Sequence, residues 1–302
     1  MGICKISNII STILWSLYRQ TEQFNKIKPL TMKKVLLFIA ALALVTACKN
    51  DSKESKQKQI ASSTEEKSES SMNYPDELQE VLTAHGGIVQ WNKMNTLKYS
   101  IPKSEENMEY QTVDLKNRYT LVENENVSMG YNGEDIWVKE GATEYKGNAG
   151  FYHNLMFYFY AMPFVFGDDG LNYENAEALN YKDTSYPGIK ISFNNGVGAS
   201  PKDEYYLYYD PQTKKMAWLG YTVTYQTGES SDKVNLIKYA EWQKTNGLLL
   251  PKKIAWYNYE AGTIGEMQNE VSFNNPSITQ NKMDVETFKM PEGARVFEAS
   301  EE

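Results

Sequence analysis

Two pairs of adjacent carboxylates are the side chains in this sequence with the clearest capacity for chemistry. Asp168-Asp169 is bounded by glycines and could hold a cation, and Asp203-Glu204 could act as an acid pair. Turns favour Asp without any function, however, and charged side chains usually form a solvated face. The sequence has no Gly-rich phosphate loop, no Gly-x-Ser-x-Gly elbow and no His-Glu-x-x-His motif. We therefore do not expect an enzyme. Of the functions considered for this chain, a carboxylate-based hydrolase has the least support.

The residues that usually bind metals or act as nucleophiles are few. The chain contains two histidines, His85 and His153, and two cysteines, Cys4 and Cys48. Both cysteines precede the segment that we expect to be globular. Two histidines leave little material for a zinc site or a Ser-His triad. We predict no metal site and no cofactor.

The charge balance bears on the choice of partner. The chain has 31 basic and 39 acidic side chains, for a net charge of −8. Six of the basic side chains and one of the acidic ones lie in residues 1–47, so the rest of the chain is more acidic still. Affinity for nucleic acid depends on neutralising phosphates with Lys and Arg. We therefore expect no nucleic-acid partner.

An export signal with a lipid-attachment site is predicted near the N-terminus. Met32-Lys33-Lys34 precedes an apolar run over residues 35–45, which is shorter than the roughly 20 residues that span a bilayer. The next four residues, Val45-Thr46-Ala47-Cys48, resemble a bacterial lipobox. That resemblance implies cleavage before Cys48 and a lipid on its thiol. The expected location is the cell envelope, as an outer membrane lipoprotein that faces the periplasm or the cell surface.

The chain divides into four segments. Residues 1–47 are the leader, in which either Met32 is the true start or residues 9–17 form a second apolar element. Residues 48–72 carry the lipidated Cys48 and a tether of Ser, Lys and Glu, which cannot bury enough apolar surface to become ordered. Residues 73–295 are the globular domain, and residues 296–302 are a loose acidic tail.

The globular domain is organised around residues 151–166, its most apolar and aromatic stretch. A helix that is apolar on every side must be covered on most sides, and Pro163 should kink or end it. A first helix is predicted to open over residues 73–77, with Asn73 or Tyr74 near its cap and Pro75 in its first turn, and to end at Gly86-Gly87.

Most of the remaining sequence alternates with a period of two, and Asn132-Gly133 and Asn246-Gly247 mark hairpin turns. Ten or more consecutive strands are expected from this pattern, whereas residues 171–181 show no clear one. We predict a mainly β (α+β) fold. A single large antiparallel sheet would curl into an unclosed half-barrel, with the aromatic helix on its concave face.

Three hairpins and the first helix resemble the LolA/LppX-like lipoprotein-carrier fold, an unclosed β-barrel with helices across its mouth. The hairpins run from Tyr131 to Trp137, from Tyr206 through Asp210-Pro211 to Leu219, and from Lys238 to Pro251. Residues 84–97, with Gly86-Gly87, are similar to a set of uncharacterised lipoproteins related to that fold. The resemblance covers about residues 74–292. The soluble carrier of that family is not lipidated, so Cys48 favours an anchored role over a shuttle.

Two functions are compatible with this interpretation. The first is a membrane-anchored protein that binds a hydrophobic ligand, a lipid or acyl chain, in the concave face, without catalysis. Aromatic residues that could line the cavity, or simply pack as core, are Trp137, Phe157, Tyr160, Phe164, Trp218, Tyr225 and Trp256. The alternative is a protein-interaction subunit of an envelope or cell-surface complex, in which the aromatic faces dock a partner.

Overall fold

The structure, a computed structural model, describes residues 74–194, 202–224 and 233–298. The leader, Cys48, the tether and Tyr225 lie outside these residues. The helices are α1 (Asp76–Ala84), α2 (Ile88–Asn92) and α3 (Ala149–Ala161), and short 3₁₀-helices cover Phe164–Gly167 and Val285–Phe288. The strands are β1 (Thr96–Pro102), β2 (Met108–Asp114), β3 (Thr120–Glu123), β4 (Val127–Tyr131), β5 (Ile136–Glu140), β6 (Leu171–Tyr181), β7 (Thr184–Phe193), β8 (Glu204–Tyr209), β9 (Met216–Tyr221), β10 (Asn235–Thr245), β11 (Leu248–Glu260), β12 (Thr263–Ser272), β13 (Asn274–Thr279) and β14 (Arg295–Val296).

Helix α1 forms in the predicted segment, but its N-cap is Pro75 rather than Asn73 or Tyr74. Pro75 precedes it, and Asp76 and Glu77 place negative charge at the positive end of the helix dipole. Its apolar residues, Leu78, Val81 and Leu82, are buried. The chain then reverses at Gly86-Gly87, where both glycines have positive φ and the helix ends.

Helix α3 is the predicted aromatic helix. It begins two residues earlier than expected, after Asn148, whose side chain accepts a hydrogen bond from the Phe151 N–H at 2.9 Å. It ends at Ala161, just before Pro163, as the fixed φ of proline requires. In the described part of the chain, no helix is long and apolar enough to cross a membrane.

In the described ranges, the strands form two antiparallel sheets of seven strands each. Sheet 1 has the order β13-β1-β2-β3-β4-β5-β14, and sheet 2 has the order β12-β11-β10-β9-β8-β7-β6. Most neighbours in each sheet are consecutive in the chain, so hairpins make most of the connections. The mainly β, unclosed architecture is therefore confirmed.

One detail differs from the expected single sheet. The chain runs from β12, at the edge of sheet 2, through Phe273 directly into β13, at the edge of sheet 1. The Phe273 N–H donates to Lys252 O in sheet 2 at 2.9 Å, whereas the next residues pair with β1 in sheet 1. A strongly twisted sheet rarely stays continuous beyond about ten strands. The strands of the described residues accordingly divide into two sheets, which are joined by α3 between β5 and β6 and by the β12–β13 segment.

The main core lies between the two sheets. It combines buried side chains of α1, α2 and α3 with inward-facing residues of both sheets, such as Leu97, Ile191, Leu219 and Ile254. At the C-terminus, β14 pairs with β5, and the Phe297 N–H donates to Ile136 O at 2.7 Å. Ordered backbone thus continues past residue 295, where we expected the tail to begin.

Candidate hydrophobic ligand site

Helix α3 contacts both sheets through its aromatic rings. The Tyr160 ring lies 4.3 Å from the ring of Tyr99 in β1 and 4.4 Å from that of Phe273, which joins the sheets. On sheet 2, the Phe159 ring lies 5.3 Å from that of Tyr221 and 5.8 Å from that of Trp256. These are ordinary contact distances for aromatic pairs. The helix therefore occupies the space between the sheets.

The backbone at the C-terminal end of α3 has a partner in sheet 2. The last carbonyls of a helix lack intrahelical donors. The Tyr239 hydroxyl, which is buried in β10, donates to Phe159 O at 2.8 Å. Burial raises the pKa of Tyr239 well above its usual value, so the hydroxyl keeps the proton that this bond needs.

A buried polar network holds the first turn of α3 to sheet 1. The Glu109 carboxylate in β2 is 2% exposed. It accepts hydrogen bonds from the Tyr152 hydroxyl at 2.9 Å and from Gln111 Nε2 at 2.8 Å, and it lies 3.1 Å from Lys103 Nζ. The Tyr99 hydroxyl donates to Gln111 Oε1 at 2.6 Å. Burial and the Glu109 charge raise the pKa of Tyr152, which keeps that donor protonated.

An ion pair lies near the other end of α3. Arg118, in the turn between β2 and β3, donates from Nη2 to both carboxylate oxygens of Asp168, at 2.7 and 2.6 Å. Its guanidinium carbon lies 5.2 Å from the centre of the Phe157 ring. The Asp168 carboxylate is thus directed at a guanidinium rather than shared with Asp169 around a cation. The described residues contain no group of three or more His, Cys, Asp or Glu side chains arranged to hold a metal ion.

The second carboxylate pair does not converge on one site. Asp203 is buried and accepts hydrogen bonds from Thr224 N and Oγ1, both at 2.6 Å. Glu204 forms an ion pair with Lys190 at 2.7 Å and accepts a hydrogen bond from Tyr206. Each carboxylate therefore has its own partners, and the two do not form the facing pair that a hydrolase would use.

The outward side of α3 is also apolar. Phe151, Leu155 and Tyr158 recur at positions i, i+4 and i+7 and so share one side of the helix. Phe151 and Leu155 are half-buried, and Tyr158 is 37% exposed. We call these three residues the outer stripe. A helix that is apolar toward both the core and the surface is adapted to apolar neighbours on every side.

The structure brings four of the predicted cavity residues together. Phe157, Tyr160 and Phe164 are buried in the main core, and Trp256 packs against that core from β11. All four lie on α3, on the segment that follows it, or on the face of sheet 2 that contacts it. Tyr225 lies outside the described residues.

Trp137 lies on the far face of sheet 1. Its neighbour Val138 packs with Ala149 of α3, and adjacent strand residues point to opposite faces. The Trp137 indole N–H donates to Phe288 O in the C-terminal 3₁₀-helix at 3.0 Å. A Cβ at Gly130, its cross-strand neighbour, would lie 2.7 Å from the indole, so glycine makes room for the ring. Trp137 therefore cannot line the same space as Phe157.

Trp218 lies on the far face of sheet 2 by the same reasoning, since its neighbour Leu219 belongs to the main core. Its ring contacts those of Tyr181 and Tyr257 at 5.0 and 5.1 Å, and Lys238 Nζ lies 5.3 Å from its centre. These residues belong to a separate aromatic cluster. Tyrosines lie on both faces of β8, so a period of two by itself does not show which face meets α3.

The polar residues around α3 were not anticipated from the sequence. Glu109 and Gln111 alternate with Val113, so two polar side chains occupy inward positions of β2. That break in the apolar pattern is a usable signal for a buried network. Arg118 offered no such signal, because nothing local shows that its turn lies over the aromatic helix.

The fold and this site define a class: a mainly β protein with two open sheets and an aromatic helix between them. The chain belongs to a family of unknown function, DUF6503, whose model matches residues 33–263. No curated protein matches it.

The solved structures that are similar to this chain include the following three. One is a LolA superfamily protein from Nitrosomonas europaea, with 13% identity, a TM-score of 0.41, and coverage of 70% of this chain and 97% of that one. A DUF1329 family protein from Desulfovibrio piger has 12% identity, a TM-score of 0.40, and coverage of 67% and 91%. An outer membrane lipoprotein-sorting protein domain from Vibrio parahaemolyticus has 7% identity, a TM-score of 0.38, and coverage of 68% and 97%.

Proposed function

We propose that this protein binds a hydrophobic ligand, a lipid or acyl chain, between its two sheets and performs no catalysis on it. The observation that supports this is helix α3, which is apolar on every side and fills the concave space while its outer stripe stays partly exposed. An acyl chain needs such apolar surroundings. Phe157, Tyr160, Phe164 and Trp256 would contact it.

Entry of a ligand requires α3 to shift, because its rings already touch both sheets. Most of the contacts of the helix are apolar, and an acyl chain could replace them with contacts of the same kind. The polar groups around the helix are few: the Glu109 network at its start, and the Tyr239 hydroxyl and the Arg118–Asp168 pair near its end. A shift of the helix would therefore leave few polar groups without a hydrogen-bond partner.

The predicted leader and Cys48 support a location in the cell envelope, with a lipid anchor in the outer membrane. The tether of residues 48–72 would hold the domain some distance from the membrane surface. The domain itself would face the periplasm or the cell surface. Its partners are then the membrane and a hydrophobic small molecule or lipid, not nucleic acid.

The test uses the full chain with Cys48→Ser, which cannot be lipidated and so offers no acyl chain of its own. Titration with a fluorescent long-chain fatty acid should show saturable binding to one site. Phe157→Asp should abolish binding, because it places a charge in the apolar space. The matched control is Tyr110→Asp in β2, where the side chain is 57% exposed and the ligand is not expected to reach.

Circular dichroism must show that Phe157→Asp remains folded. Should the variant unfold, Leu155→Asp on the half-buried outer stripe replaces it. A folded wild-type domain that takes up no acyl chain would refute the proposal.

The second candidate function is a protein-interaction subunit of an envelope complex, and the outer stripe favours it. Exposed apolar residues on one side of a helix are a common docking surface. Under this alternative, Leu155→Asp with Tyr158→Asp would abolish co-purification of an envelope protein, and the fatty-acid titration would show no binding.

A further inference from the structure

Arg118 is held rigidly beside α3. It has a φ of +61°, which is uncommon for a residue other than glycine. Its N–H donates to Asp114 O at 2.9 Å, and Asp114 Oδ1 accepts from the N–H groups of Lys116 and Asn117, both at 2.8 Å. These bonds fix the turn between β2 and β3. The position of this turn places the guanidinium over the Phe157 ring.

One nitrogen of the Arg118 guanidinium is not used by Asp168. Its Nη2 serves both oxygens of Asp168, whereas Nη1 is buried and has no acceptor among the described residues. Leaving a charged donor buried without a partner is costly, so this arrangement needs a reason. An arginine also presents its donors as a planar fork that suits a carboxylate or phosphate.

Asp168 is a replaceable partner. Its side chain is 40% exposed and lies on the short connection between Gly167 and Gly170. Burial raises the pKa of Asp168 even though Arg118 opposes that shift, and the neighbouring Asp169 raises it further. Because the Asp168 side chain is 40% exposed, its ion pair with Arg118 can be exchanged for another anion at a smaller cost than a buried pair.

We propose that the ligand between the sheets is an anionic amphiphile and that Arg118 binds its charged end, in place of Asp168, while its chain lies along α3. The charged end is a carboxylate or a phosphate. This proposal rests on the proposed function and adds the chemical class of the ligand. The cation at the other end of α3, Lys103, is already paired with Glu109 and Tyr152, so Arg118 is the better receptor for an anion.

The experiment compares three ligands of equal chain length on the Cys48→Ser chain by calorimetry: dodecanoate, dodecyl phosphate and dodecanol. Both anions should bind about tenfold or more tightly than dodecanol, since a charge-assisted hydrogen bond contributes on that scale. The ratio between the two anions identifies the preferred head group. Arg118→Gln should reduce anion binding to the level of dodecanol and leave dodecanol binding unchanged.

Two further variants guard against misfolding and general charge effects. Asp168→Asn removes the competing carboxylate and should strengthen anion binding severalfold, which a merely structural role of the ion pair would not produce. Arg295→Gln is the matched control, because it breaks a 2.7 Å pair with Glu140 at the far end of sheet 1. It should change none of the three affinities.

The outcomes separate the two proposals. Equal affinity for all three ligands, or an equal loss of dodecanol binding in Arg118→Gln, would overturn the assignment of Arg118 and leave the proposed function in place. Failure of all three ligands to bind the folded protein would overturn both.

Discussion

Two cations approach helix α3 from sheet 1, and each is paired with a carboxylate. Lys103 pairs with the buried Glu109, and Arg118 pairs with the partly exposed Asp168. Buried ion pairs add little net stability, because desolvation offsets most of their attraction. Their value is geometric: one fixes the first turn of the helix through Tyr152, and the other holds the segment that follows the helix.

His85 makes stability depend on pH. Its ring is fully buried, and Nδ1 donates to Val81 O at 2.8 Å, so the neutral ring is the native form. Burial lowers the pKa of His85 from 6.5 to about 4. Between pH 6.5 and 4, the unfolded chain therefore binds a proton at His85 and the native protein does not. The stability that the neutral ring contributes is fully present above pH 6.5 and is lost as the pH falls toward 4. We expect this loss to reach roughly 3 kcal/mol.

Urea unfolding at pH 7.5 and 4.5 measures the effect of His85. His85→Asn keeps a donor for Val81 O but does not titrate. Its free energy of unfolding should be lower at pH 7.5 and should fall less than that of the wild type on acidification. Parallel pH profiles for the two proteins would contradict the assignment.

At the level of elements, the end of α1 is joined to the β10–β11 turn. The Leu249 N–H donates to His85 O at 2.8 Å, and Gly86 lies directly against Gly247. A Cβ on Gly86 would lie 2.4 Å from Gly247 O, closer than any real contact. The glycine pair at the helix end thus has two roles, since it reverses the chain and lets two backbones approach.

The two glycines offer a matched comparison. Both have positive φ, +106° and +89°, but a Cβ on Gly87 would meet no atom within 4 Å. Gly87→Ala should therefore cost about 1–3 kcal/mol, from backbone strain alone. Gly86→Ala should cost at least about 2 kcal/mol more than Gly87→Ala, because the backbones must also separate. Thermal or urea unfolding of both variants checks this, and equal losses would disprove the contact.

For the whole molecule, the segment that joins β12 to β13 couples the two sheets. Phe273 lies at this junction, is buried, and contacts Tyr99 of sheet 1 and Tyr160 of α3 at 5.7 and 4.4 Å. The sheets share one core through such residues, so we expect the domain to unfold as a single cooperative unit.

Phe273→Ala should lower the free energy of unfolding by about 3–5 kcal/mol, the usual cost of removing a buried aromatic ring. Met267→Ala, on β12 with a side chain that is 52% exposed, is the control and should change it by no more than about 0.5 kcal/mol. Both are measured by urea unfolding followed by circular dichroism and by tryptophan fluorescence. Separate transitions for the two signals would show that the sheets unfold independently.

Local patterns determined much of this architecture. The composition of α3 required that it be covered on most sides, Pro163 and Gly86-Gly87 placed helix ends, and alternation with turn residues placed most strands. Residues 171–181 were not assigned because β6 is an edge strand, exposed at most positions, and so lacks the alternation of a half-buried strand. The division into two sheets also could not be predicted from local sequence patterns, because it depends on twist that accumulates over many strands.

The site depended most on tertiary structure. Alternation with a period of two shows that neighbouring residues point to opposite faces of a strand. Which face meets α3 depends on how the sheets pack. That is why Trp137 and Trp218 were grouped with Phe157 although they lie on the far faces. The Glu109 network and the Arg118–Asp168 pair likewise join residues 43 and 50 positions apart. The sequence by itself determined that an apolar helix must be covered. Only the packed chain decided which side chains cover it, because contacts between distant residues leave no periodic trace in either segment.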